Sequence, residues 1–145
     1  MGKVLWEGSA LLAPVPPALV TCGTMEEPNV LTVAWTGIIC TRPAMTYISV
    51  RPSRYSYGLI RQTGEFAINL TPSRLVKAAD FCGVRSGAQV DKFAQCGLHP
   101  LPAQRISAPI LEECPVALEC RVSESRLLGT HVLFLAEIRG VAVDE

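Results

Sequence analysis

The chain has 145 residues, enough for one domain that buries roughly 70% of the surface its unfolded form exposes, and its thirteen basic side chains balance thirteen acidic ones. Balanced charge with no run of one sign excludes nucleic acid and anionic membrane surfaces as expected partners. Apolar residues make up 49% of the chain, yet no stretch approaches the ~20 residues that span a bilayer, so a soluble, cytoplasmic protein is expected.

In chain order, the run from Ala10 to Val20 is interrupted by Pro14, Pro16 and Pro17 and preceded only by Lys3. It reads as a proline-punctuated entry to a strand rather than a signal-peptide core. Ala18 to Cys22 is a short apolar strand, Thr24 to Pro28 a polar turn, and Asn29 opens a second strand. There Leu31, Val33 and Trp35 form a large apolar face expected to pack a core, while Val30, Thr32 and Ala34 form a smaller face that leaves room. Met45 to Val50 is a third strand, with β-branched Thr46, Ile48 and Val50 on one side, and Pro52 stops it.

Ser53 is placed to cap a helix running to about Thr63 and ended by Gly64. Phe66, Ile68 and Leu70 alternate with Glu65, Ala67 and Asn69 as a half-buried strand. Ser73 is placed to cap a second helix stopped by Gly83, and Val90 to Cys96, ended by Gly97, reads as a third. Val116 to Ser123 is the cleanest alternating strand, and His131 to Val143 is the last, bent at Gly140. Dominant period-two patterning with short helices predicts a mainly β protein, an antiparallel sheet or barrel, without internal repeat or linker.

Six cysteines are present, but without a secretory signal they are expected to be free thiols, mostly buried. Cys96 with His99 is too small a fragment for a zinc site, so no metal is expected.

The segment from Tyr47 to Ile60 carries the chemistry: strand, proline, serine, helix. A helix start presents free N–H groups and partial positive charge, which suits a phosphate. Arg51 and Arg54 flank it, and Ser53 and Ser56 add hydroxyls. On these residues alone an ordinary strand-to-helix corner with solvated arginines is the slightly better reading. Ser86-Gly87 and Asp91-Lys92-Phe93 form a second donor-rich stretch able to bring Lys92 to the same anion. Two such contacts, at roughly 1.5–3 kcal/mol each, supply about half of the ~8 kcal/mol of micromolar binding. A flat aromatic ring over Thr32 and Ala34 would supply the rest.

Six segments in order, Asn29 to Trp35, Ser49 to Ser56, Gly64 to Leu70, Cys82-Gly83 with Ser86-Gly87, Asp91 to Phe93, and Gly129-Thr130-His131, resemble the flavin reductase-like, FMN-binding split-barrel proteins, which include the flavoredoxins. The resemblance implies a Greek-key split β-barrel, non-covalent FMN, and a homodimer with two sites at its interface. It implies that Asn29 and Thr32, Val33, Ala34, Trp35 and Thr36 line the flavin, that Ser49 and Val50 reach it through backbone groups, and that Asn69 and Leu70 lie beside the ribityl chain. Arg51, Ser53, Ser56 and Lys92 would take the phosphate, with Cys82, Gly83 and Ser86 in the neighbouring loop. In related reductases a Gly-Asp-His motif meets the nicotinamide; here Thr130 replaces the aspartate before His131.

Relatives often continue past the point matching Glu145 with a segment covering the partner's site, and its absence would expose the flavin edge. The readings that follow are an FMN-binding NAD(P)H:flavin oxidoreductase with NADH or NADPH as co-substrate, an FMN electron carrier served by a protein partner, and a barrel without cofactor. No Gly-x-Gly-x-x-Gly is present for a separate nicotinamide site.

Overall fold

The computed structural model describes residues 1–145. Nine strands are present: β1 (Ala18–Gly23), β2 (Pro28–Val33), β3 (Thr36–Thr41), β4 (Ala44–Val50), β5 (Glu65–Leu70), β6 (Pro100–Leu101), β7 (Ile110–Leu111), β8 (Val116–Leu128) and β9 (His131–Val143). The helices are α1 (Tyr55–Thr63), α2 (Val76–Val84) and α3 (Lys92–Cys96), with a 3₁₀ turn at Ser73–Leu75. Seven strands form one antiparallel sheet in the order β2-β1-β5-β8-β9-β4-β3, and β6 pairs with β7 apart from it.

The sheet's edge strands β2 and β3 are consecutive in the chain, so the sheet curls until its ends approach. Ser49 N–H donates to the Trp35 carbonyl at 3.0 Å, between β4 and the β2–β3 link. The result is the split barrel that the alternation and the resemblance predict. Val20, Ile48, Phe66, Ile68, Cys120 and Phe134 fill its interior, joined by Leu59 and Ile60 of α1. Each fully buried side chain of this size contributes about 1.5–3 kcal/mol. The outer face of β1 and β2 is covered by α2 and α3, where Leu19 and Val30 pack with Ala78, Cys82 and Leu98.

Several boundaries differ from the sequence reading. β3 was not expected: as an edge strand it is largely exposed, and Gly-Ile-Ile-Cys does not alternate. β8 runs on to Leu128 as an exposed hairpin arm whose polar residues hide its period. The N-cap of α1 is Arg54, with no side-chain cap, so Ser53 does not cap it; Gly64 ends it as expected, with φ 70°. The 3₁₀ turn precedes α2, and Pro72 rather than Ser73 stands at its start.

Gly83 lies within α2 rather than ending it, beside Thr32 of β2, and it keeps a right-handed backbone, unlike Gly64 and Gly97. Asp91 caps α3 by accepting from Ala94 N–H at 3.2 Å, which excludes Val90. The bend expected at Gly140 is a bulge, with Gly140 opposite Glu119 and Ile138 opposite Cys120, so Arg139 is the extra residue. All six cysteines are free, and no helix is long and apolar enough to cross a membrane.

Candidate functional site

Two hollows meet where the barrel is split. The larger, about 430 Å³, has one wall from the β4–α1 corner (Arg51, Ser53, Arg54, Tyr55, Ser56) and another from the end of α2 and its loop (Val84, Arg85, Ser86, Gly87, Gln89). Asn29, Leu31 and Lys92 complete it. Four cations and no carboxylate line this space, in a protein of zero net charge. The smaller hollow, about 170 Å³, is walled by residues 31–35 on one side and by Ser49, Val50 and His131 on the other. Leu31, Arg51 and Arg54 line both. The cleft therefore has a cationic, hydroxyl-rich end continuous with a more apolar one.

At the cationic end, Arg54 N–H donates to the Arg51 carbonyl at 3.0 Å, a tight corner that turns the strand into α1 and sets both arginines on the cleft. Tyr57 N–H donates to the Arg54 carbonyl at 3.1 Å, and without a side-chain cap the N–H groups of Tyr55 and Ser56 in the first turn of α1 are left for an anion. Ser56 is buried and accepts from Asn29 Nδ2 at 2.6 Å, which ties α1 to β2. Gly87 closes against this pair: a Cβ there would collide with the Asn29 side chain. The donor set suits a phosphate group, and the adjoining hollow suits a flat ring.

At the apolar end, Trp35 and His131 stack with ring centroids 4.8 Å apart and planes inclined by 33°. The Thr130 hydroxyl pairs with Nδ1 of His131 at 2.8 Å, leaving Nε2 as the ring's other polar atom. Partial burial, then the positive charges of Arg51 and Arg54, lower the His131 pKa from 6.5. Both causes favour the neutral imidazole.

Residues 11–145 match the family described as flavin reductase like domain. The chain belongs to that family. It is similar to the flavoredoxin of Desulfovibrio vulgaris (Miyazaki F), at 36% identity and a TM-score of 0.90, over 100% of this chain and 78% of that one. The Methanosarcina acetivorans flavoredoxin is similar at 28% identity and a TM-score of 0.92, over 100% and 77%. An NADPH-flavin oxidoreductase of Streptomyces viridifaciens is 30% identical over 130 residues, 86% of this chain and 64% of that protein.

Within this member of the flavin reductase-like family the structure redistributes several expected roles. Ser49, Val50, Arg51, Ser53, Ser56, Ser86, Asn29, His131 and residues 32–35 all line the cleft. Lys92 reaches the cleft wall, but its ammonium is buried and donates to the carbonyls of Val30 at 2.8 Å and Cys82 at 2.9 Å. Two of its three donors are therefore spent on the fold, and burial lowers its pKa.

Thr32 edges the smaller hollow, but its hydroxyl is engaged, donating to the Ala79 carbonyl at 2.5 Å beneath α2. Cys82 faces the helix core, its thiol pushed up to about 12 chiefly by burial. Gly83 contributes a carbonyl that accepts from Arg54 Nη1 at 3.1 Å rather than contact with the cleft. Thr36 donates to the Tyr47 carbonyl at 2.6 Å and lines a separate hollow behind Trp35. Cys40 pairs with the Pro43 carbonyl at 3.1 Å, away from the cleft.

Asn69 and Leu70 lie outside the cleft as well. Asn69 is fully buried, donating to the Leu19 carbonyl at 2.8 Å and Thr21 Oγ1 at 3.0 Å while accepting from Leu111 N–H at 2.9 Å. It joins β1, β5 and β7, and its polar atoms are engaged within the fold. Asn69→Leu takes a partner from the Leu19 carbonyl and from Leu111 N–H, while Thr21 Oγ1 keeps the Pro109 carbonyl, and at about 1–3 kcal/mol for a stranded buried group a destabilisation of about 2 kcal/mol is expected in urea unfolding. A loss of flavin affinity without any loss of stability would restore the sequence expectation.

The sequence reading omitted Leu31, Tyr55, Val84, Arg85 and Gln89 from the site. Arg85 was the legible omission, since it directly precedes Ser86-Gly87.

Proposed function

We propose that this protein binds FMN non-covalently and catalyses NAD(P)H-dependent reduction of flavin. The observation that carries the reading is the continuity of a four-cation, acid-free hollow with a small hollow walled by Trp35, Val50 and His131. Arg51, Ser53 and the open first turn of α1 would hold the phosphate, with Arg54 anchored to the Gly83 carbonyl. The ring would lie in the smaller hollow, against residues 33–35 and Ser49-Val50. Bound flavin supplies hydride acceptance and onward electron transfer.

His131 sits at the mouth of the ring hollow. Its neutral imidazole, held by Thr130 on one edge and Trp35 on one face, would orient a nicotinamide against the ring without adding charge. Positioning of this kind lowers the barrier by fixing the reacting atoms in near-attack geometry.

A homodimer is part of the proposal. Ile38 and Ile39 on edge strand β3, and Leu127 and Leu128 at the tip of the β8–β9 hairpin, are exposed apolar side chains that a second copy would cover. Cytoplasmic location is proposed on the free cysteines.

A second reading, an FMN electron carrier fed by a protein partner, is favoured by Thr130 standing where related reductases carry aspartate, and by the similarity to two flavoredoxins. The deciding experiment mixes purified protein with excess FMN and NADH or NADPH and follows absorbance near 340 nm. Multiple turnovers are the result expected of the reductase; bound flavin without nicotinamide oxidation would overturn it in favour of the carrier.

A further inference from the structure

Of the four cations on the phosphate end of the cleft, two are already engaged: Arg54 with the Gly83 carbonyl, and Lys92 with the carbonyls of Val30 and Cys82. Arg51 and Arg85 make no side-chain hydrogen bond and no ion pair, although both line the same hollow. They stand on opposite walls, Arg51 at the β4–α1 corner and Arg85 immediately after α2. The Arg85 guanidinium lies 5.9 Å from the Phe81 ring centroid, one turn back, a contact that holds the side chain by its apolar stem and planar face.

The wall behind Arg85 is fixed. Arg85 N–H donates to the Phe81 carbonyl at 3.1 Å, and its backbone turns extended at φ −108°, ψ 155°. The next residues fold back on themselves, with Gln89 and Val90 N–H on the Ser86 carbonyl at 3.1 and 3.2 Å. A guanidinium is a planar fork of donors suited to phosphate oxygens, and two unengaged forks facing one acid-free space form a clamp.

We propose that Arg85 is the second arm of the phosphate clamp, closing from the α2 wall opposite Arg51, and that it contributes to the preference for phosphorylated over unphosphorylated flavin. This rests on the flavin-binding reading above and deepens it. Lys92 ties α3 to β2 and α2 beneath the clamp with two of its donors and keeps its third for the same hollow.

The test measures affinities of FMN and riboflavin by flavin fluorescence for the unmodified protein, Arg85→Ala and Arg85→Lys. The unmodified protein is expected to prefer FMN. A lost charged hydrogen bond makes Arg85→Ala weaken FMN by roughly 10- to 100-fold with riboflavin changed less than about twofold. Arg85→Lys should recover part of the loss and reduce the benefit of low salt less than alanine does. Arg85 is exposed, so both variants are expected to melt with the unmodified protein.

If the unmodified protein prefers FMN and Arg85→Ala keeps that preference, the clamp assignment is wrong while the flavin reading survives. If Arg85→Ala weakens both flavins equally, the residue supports the loop rather than the phosphate. If the unmodified protein binds neither flavin, both readings fall together.

Discussion

Arg51→Ala is expected to weaken FMN by roughly 10- to 100-fold, the cost of one charge-assisted contact to phosphate, while riboflavin affinity stays within about threefold. The side chain stands at the junction of the two hollows, unpaired within the protein, where no carboxylate competes for it. Its backbone carbonyl accepts from Arg54 N–H, and alanine keeps that bond, so the corner into α1 survives the substitution. Arg51 also lowers the His131 pKa, and its removal should move that imidazole back toward 6.5 in a flavin-free NMR titration. Equal weakening of FMN and riboflavin would show that Arg51 shapes the cleft instead of contacting phosphate.

His131→Ala has the second large effect. Nicotinamide-driven reduction of bound flavin should slow by about 100-fold, the scale of misplacing a reactant by an ångström, with FMN affinity nearly unchanged. Removing the ring also removes the face against which Trp35 stacks. Trp35→Phe is therefore a useful companion, because it retains an aromatic neighbour and should cost far less. A loss of FMN binding in His131→Ala would move the residue from the nicotinamide side to the flavin shell, and stopped-flow reduction with matched flavin occupancy separates the two outcomes.

Alternation made the strands legible in the sequence, but it matches one-sided burial best in β9, where Val132, Phe134 and Ala136 are buried between half-buried neighbours, and β9 begins and ends where the pattern says. β5 is buried on both faces from Phe66 to Asn69, and in β8 Ala117 and Glu119 are buried as well as Cys120. β3 and the outer arm of β8 escaped because exposed strands carry no burial period to read. Helix ends set by backbone geometry were legible where glycine adopts positive φ, as at Gly64 and Gly97. They were misread where a polar residue merely suggested a cap, as at Ser53 and Ser73, or where glycine stays helical without a positive φ, as at Gly83.

The site divided along the same physical line. Arg51, Ser53 and Ser56 are contiguous in sequence and share one corner, so local chemistry exposed them. Asn69 and Lys92 carry the polar groups a ligand would want, but long-range partners use them: Leu19, Thr21 and Leu111 for one, Val30 and Cys82 for the other. Such partners lie on other strands and leave no mark in local sequence. Arg85 is the converse case, a residue without motif status that the α2 loop carries to the cleft.

The central claim is that the split of the barrel holds FMN, phosphate toward Arg51 and ring toward Trp35 and Val50. Its most direct test is an FMN fluorescence titration of the purified chain, with riboflavin and inorganic phosphate alongside. The account predicts saturable quenching at one FMN per chain, tighter than riboflavin and displaced weakly by phosphate. Unquenched FMN at concentrations up to about 100 µM would contradict it.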